Sequence, residues 1–170
     1  MHVLIATTGA LPAAAAVEFT TRLLGGTGKA TVTTVMEVPR PFLEELDDGS
    51  WHPLDVGDAS HRPRDDVLVE RYVEERGRKL TEPIANALNA AGIETDARFL
   101  EGSDPAKLIS SLAEEIDADV IVLGATRHIF EDDAWESVSS RVMQESRRPI
   151  LVLPAFARET TPPAADGDAD

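Results

Sequence analysis

The sequence contains no cysteine. That excludes a disulfide scaffold, a zinc ribbon, an iron–sulfur site and thiol chemistry. Lysine is almost as scarce: only Lys29, Lys79 and Lys107 occur, and the other thirteen basic residues are arginine. Aromatics make up 5% of the chain. No apolar run reaches the roughly 18 residues that a membrane span needs. The start, Met1-His2-Val3-Leu4-Ile5-Ala6, lacks the basic segment of a secretory leader, so the expected location is the cytoplasm. Acids outnumber bases by 31 to 16, for a net charge of −15. Such a surface repels phosphate backbones and anionic lipids, so neither nucleic acid nor membrane is an expected partner. The acidity fits a high-salt habitat and equally a GC-rich genome.

The 170 residues suit one domain. Val3 to Ala6 is a short apolar run of the kind found in strands covered on both faces. After the turn Thr7-Thr8-Gly9-Ala10, Leu11-Pro12 opens an Ala-rich helix with Val17, Leu23 and Leu24 in its apolar stripe, and Gly25-Gly26 stops it. Ala30 to Met36 reads as a Val- and Thr-rich strand. From Glu37 to about Asp66 the pattern fails, and the prolines and acids there predict an irregular excursion. Leu68, Val69, Tyr72, Val73, Leu80, Ile84, Leu88 and Ala91 then mark one face of a long helix, kinked by Pro83 near Lys79 and ended by Gly92. Ile93 to Leu100 is a strand. Ser103-Asp104-Pro105 caps a helix with Leu108, Leu112 and Ile116 inward. Val120 to Leu123 is a buried strand, residues 124 to 136 a loop, Ser137 to Glu145 a helix and Pro149 to Leu153 the last strand.

Five strands alternating with four helices predict a single doubly wound α/β domain with a parallel sheet. The domain is placed at residues 1–155 and a disordered acidic tail at 156–170. Ligands of such sheets sit beyond the carboxyl ends of the strands, where strand order reverses. This marks Thr7-Thr8-Gly9, the strand end near Met36 and the loop after Leu123.

Four segments resemble the universal stress protein family: Gly102-Ser103-Asp104-Pro105, Ala118 to Gly124, Ser137-Val138-Ser139-Ser140-Arg141-Val142, and Arg148 to Leu153. Val3 to Gly9 fits that family's first strand and turn. The resemblance implies a Rossmann-like sheet of order 3-2-1-4-5, and a homodimer formed through the last strand, Ile150–Leu153. It also implies ATP binding where the pattern Gly-x2-Gly-x9-Gly-Ser/Thr follows the fourth strand. Glycines there let backbone amides reach phosphates at a helix N-terminus.

In this sequence the first glycine is Gly124, the second falls on Arg127 and the third on Glu136. Ser137 is present, and the spacer is one residue short. The family's acid in the first turn is Thr8. A carboxylate at Glu136 about 4 Å from a phosphate charge costs roughly 4 kcal/mol at an effective dielectric of 20, and Glu131, Asp132 and Asp133 add to it. The candidate cleft residues are therefore Thr8, Met36, Gly124, Arg127, Ser137 and Val138. Beside that reading, Gly124 is a strand-end turn, Ser137 a helix cap and Arg127 a solvated loop charge.

Gly25-Gly26-Thr27-Gly28-Lys29 only mimics a phosphate loop, since Leu23 and Ala30 hold key positions and it follows a helix. His52, Asp55, Asp58 and His61 have ligand chemistry but no scaffold, so no metal site is expected. Trp51 and Phe42 read as local packing rather than partner anchors, and His2 and His128 are isolated. There is no nucleophile elbow, no Gly-rich first turn and no His pair, which argues against an enzyme. The expected function is that of a non-catalytic stress-response regulator, homodimeric, with an unknown protein partner and no cofactor. A nucleotide-dependent switch holding ATP or AMP through Arg127 is the alternative.

Overall fold

The computed structural model describes residues 1–38, 65–125 and 137–154. Strand β1 (His2–Ala6) leads to helix α1 (Ala13–Leu24) and strand β2 (Lys29–Met36). Helix α2 (Asp65–Ala90), strand β3 (Glu94–Glu101) and helix α3 (Pro105–Glu115) follow. Strand β4 (Val120–Gly124), helix α4 (Val138–Glu145) and strand β5 (Ile150–Leu153) complete the fold. The strands form one sheet, β3-β2-β1-β4-β5, and every pairing in it is parallel. This is the predicted doubly wound α/β sheet in the order that the resemblance implied. The order reverses between β1 and β4, the point where such sheets open a crevice.

The sheet is buried on both faces, which is why its central strands read as unbroken apolar runs. Val3, Ile5, Val32, Val120 and Val122 pack with Leu11, Ala16, Leu24, Ile84 and Leu88 under α1 and α2. Leu4, Ala6, Ile121 and Leu123 point the other way and pack with Ile109, Leu112 and Val142 of α3 and α4. Alternate residues of one strand thus feed two cores.

Several local expectations shift. Pro12 lies just outside α1 as its N-cap, because its ψ of 125° is extended. The inward stripe of α1 is Ala16, Thr20 and Leu24, while Leu23 is 36% exposed. Gly25 ends the helix in the left-handed region (φ 57°) and donates to the Thr21 carbonyl at 3.1 Å, as its sequence position implied. Helix α2 runs on through Pro83, whose ring faces solvent. Its buried face includes Gly77 and Thr81, which the apolar period passed over, and Ala91 is exposed. Ile93 belongs to the turn before β3, since its N–H donates to the Leu88 carbonyl at the end of α2 (3.0 Å). In α3 the buried positions are Ala106, Ile109, Leu112 and Ala113, with Leu108 and Ile116 only half-buried. The predicted excursion at 37–66, with Phe42, Trp51 and the His52–His61 set, lies almost wholly outside the described residues, and its last two positions already belong to α2. The predicted tail and His128 also lie outside them.

His2 is not isolated. Its ring is buried, with Nδ1 3.0 Å from the Ile116 carbonyl and Nε2 2.8 Å from the Thr31 hydroxyl. A carbonyl only accepts, so Nδ1 donates to it, while Nε2 and the Thr31 hydroxyl share the other bond. The His2 backbone N–H also donates to Asp119 Oδ2 (2.6 Å), and Asp119 returns a bond from its own N–H to the His2 carbonyl (2.8 Å). These bonds lock β1 to β2 and β4 at the end of the sheet opposite the cleft.

Candidate functional site

At the reversal point, the chain leaves β1 and β4 in opposite directions and opens a cavity of about 130 Å³ above their carboxyl ends. The turn after β1 supplies Thr7, Thr8, Ala10 and Leu11. Strand β2 supplies Thr34 and Val35, and the start of α3 supplies Pro105 and Ile109. Leu123, Gly124 and Ala125 come from the end of β4, and Val138 and Ser139 from the start of α4. None of these side chains carries a charge.

The walls are set by local hydrogen bonding. Thr7 Oγ1 accepts from the Gly9 N–H (2.9 Å), and the Thr7 N–H donates to the Thr33 carbonyl (2.9 Å), so the turn is pinned to β2. Ser137 caps α4 by accepting from the Ser140 N–H (3.2 Å), the simpler of the two readings of that serine. Ser139 Oγ reaches the Gly124 carbonyl at 3.3 Å and ties α4 to β4. Asp104 caps α3 by accepting from the Lys107 N–H (3.3 Å) and also accepts from Arg141 Nη2 of α4 (2.8 Å). The two helix starts that flank the cavity are therefore joined by one ion pair.

Of the residues singled out from sequence, Thr8, Gly124 and Val138 line the cavity. Ser137 stands one position outside the wall, as the cap. Met36 is not in the wall, because β2 continues beside β3 to the pair Met36–Glu101 and carries that side chain past the cleft. Arg127 and Glu136 lie outside the described residues. Sequence reasoning missed Thr34 and Ser139. The signal for Thr34 was a run of threonines in a central strand. Its side chain is 1% exposed and its hydroxyl has no hydrogen-bond partner. Among the described residues no cluster of three or more His, Asp or Glu side chains offers a metal site.

The Lys107 backbone N–H and the Arg141 guanidinium hold the Asp104 carboxyl below its ordinary value of 3.8, against a smaller opposing push from burial. The same partner raises Arg141. An acid with a depressed folded pKa stabilises the fold above its unfolded value and loses that contribution as pH falls through the lower folded one. Thermal melts of the native chain are expected to lose stability below about pH 4 more steeply than melts of Asp104→Asn. Parallel curves for the two proteins across that window would show that the cap and ion pair contribute nothing to it.

Among the described residues, no helix is long and apolar enough to cross a membrane. No curated protein matches the sequence. Among solved structures the chain is similar to the hypothetical protein MJ0577, at 18% identity and TM-score 0.62 over 90% of this chain and 94% of that one. It is also similar to a universal stress protein family member from Burkholderia pseudomallei, at 21% identity and TM-score 0.57 over 90% and 95%. A third, the Arabidopsis thaliana universal stress family protein solved with AMP bound, is 17% identical with TM-score 0.56 over 94% and 95%. At these identities the likeness establishes the fold. The sequence itself matches the model of the universal stress protein family over residues 1–154, and the chain belongs to that family.

Proposed function

We propose that this chain is a non-catalytic regulatory protein of the stress response that acts as a homodimer and does not hold ATP through a glycine loop. The observation that carries the reading is the replacement of two phosphate-loop glycines by Arg127 and Glu136. A side chain at either position keeps backbone amides away from a phosphate, and the Glu136 carboxylate repels one. The cavity wall offers no described cation in compensation. The decisive measurement is nucleotide content after gentle purification, with ATP calorimetry on the emptied protein. The expected result is no released nucleotide and no heat at millimolar ATP. Stoichiometric ATP or AMP would sink the proposal.

The homodimer reading is supported by the two sheet edges. β3 exposes Glu94, Asp96, Arg98 and Glu101, charges that discourage strand addition. β5 is Ile150-Leu151-Val152-Leu153, with Val152 37% exposed and Met143 of the adjoining α4 53% exposed. A second copy across a two-fold axis covers such an edge.

A second reading, a nucleotide-dependent switch, is favoured by the cavity at the strand-order reversal and by relatives solved with cAMP and with AMP. In that reading Arg127 and the amides near Ser137 hold the phosphate, and an unidentified protein reads the bound state. Nucleotide binding that survives Arg127→Ala would remove Arg127 from it.

A further inference from the structure

We infer that Met143 is a modification site, where oxidation by a peroxide to the sulfoxide opens the β5 dimer. This rests on the reading above that two copies pair through β5. The chain has no cysteine, so methionine supplies its only sulfur, at Met1, Met36 and Met143. Met143 is 53% exposed, more than any other large apolar side chain among the described residues. Met36 is half-buried at the end of β2, and Met1 lies just before β1.

The fold sets which way Met143 faces. Successive residues of a helix turn by about 100°. In α4, Arg141 points to α3, where it donates to Asp104 (2.8 Å). Val142 points to the sheet and is fully buried. The next step of the same rotation puts Met143 on the flank away from α3. Helix α3 packs over β2 and α4 packs against α3, so that flank looks toward β5 at the sheet edge. In β5, Ile150 packs into the core under α3 and α4, so Val152, two residues on, shares its face. Met143 and Val152 stand on one side of the sheet at the same edge, and a two-fold pairing of β5 brings both to the seam.

The thioether is apolar and polarizable, which suits such a contact. Its sulfur lone pair attacks one peroxide oxygen. The S–O bond forms as the O–O bond breaks, and the departing hydroxide takes the proton left on the new oxygen and leaves as water. Sulfur is oxidised and the peroxide reduced. The product is polar, and a sulfoxide pressed into an apolar seam gives up hydration without gaining a partner. Pairing covers Met143, so the free chain is the form that reacts, and the reaction keeps it free. Sulfoxide reductases reverse the change.

The test treats the full chain with hydrogen peroxide, locates the added oxygen by peptide mass spectrometry and reads assembly by light scattering. Oxidation at Met143 is expected to raise the dimer dissociation constant about tenfold or more, with an unchanged circular dichroism spectrum. Methionine sulfoxide reductase is expected to restore the dimer. Met143→Leu, similar in size and without sulfur, is expected to stay dimeric after the same treatment. Met143→Gln, which imitates the polar product, is expected to weaken the untreated dimer. The inference is overturned if peroxide leaves Met143 unmodified, or if the chain oxidised there pairs as tightly as the untreated one. Equal loss of the dimer by Met143→Leu under peroxide overturns it too, because another residue is then responsible. An untreated chain that is monomeric overturns the inference together with its parent reading. A dimer that Val152→Glu breaks and peroxide does not overturns the inference alone.

Discussion

Val152→Glu is expected to convert the proposed β5 dimer into a monomer, raising the dissociation constant at least about a hundredfold, or about 2.7 kcal/mol. Strand β5 is the edge of the sheet, has four residues and no charge, and leaves Val152 37% exposed. In a two-fold pairing the substituted residue and its twin both enter the seam, and a carboxylate moved into an apolar contact loses hydration without gaining a partner. The chain already carries a net charge of −15, so two further acids at the seam add to long-range repulsion. Light scattering at moderate salt reads the outcome. Asp96→Leu on the opposite edge is the control and is expected to leave the mass unchanged. A wild-type protein that scatters as a monomer, or a Val152→Glu variant that remains dimeric, removes β5 as the interface.

The second large effect is on stability. Gly77→Ala is expected to destabilise by about 2 kcal/mol, which lowers the melting temperature by roughly 4–8 °C for a chain of this length. The sign is the opposite of what helix propensity alone implies, because Gly to Ala within a helix ordinarily gains up to about 1 kcal/mol. Gly77 lies inside α2 where that helix crosses β3. A Cβ there would stand 2.5 Å from Cγ and Cδ1 of Phe99 and 3.0 Å from its Cβ. Those are the inner atoms of the side chain, so Phe99 cannot swing clear by moving only its tip. The double substitution Gly77→Ala with Phe99→Leu is expected to recover part of the loss, since neighbours in contact do not act additively. A raised melting temperature for Gly77→Ala alone would mean that β3 yields and the close approach is not rigid.

The elements themselves were legible. Val120 to Leu123 and Val3 to Ala6 are apolar on every position because the sheet is covered on both faces, and Asp104-Pro105 and Ser137 announce helices by capping chemistry. The inward residues of the helices were less legible. Leu23 and Ala91 continue the apolar period past the edge of the core, while Gly77 and Thr81 are buried for reasons of close packing that hydrophobicity does not report. The cleft was half legible. Thr8, Gly124 and Val138 follow from strand ends and the family pattern. Thr34 and Ser139 reach the same space from elements far apart in the chain, and no local spacing encodes that meeting. Met36 lies outside the described wall, because the cleft opens at the end of β1, whereas β2 runs beyond it.

The two sheet edges also set an upper limit on assembly. A molecule with two adhesive edges is bifunctional and grows into a ribbon of indefinite length, as cross-β fibres do. In the proposed dimer this chain is monofunctional. Once β5 meets a twin, the free edges of the pair are two copies of β3, each bearing Glu94, Asp96, Arg98 and Glu101. If the chain pairs through β5 as proposed, growth terminates after its first step, and raising the concentration is expected to fill dimers without lengthening them.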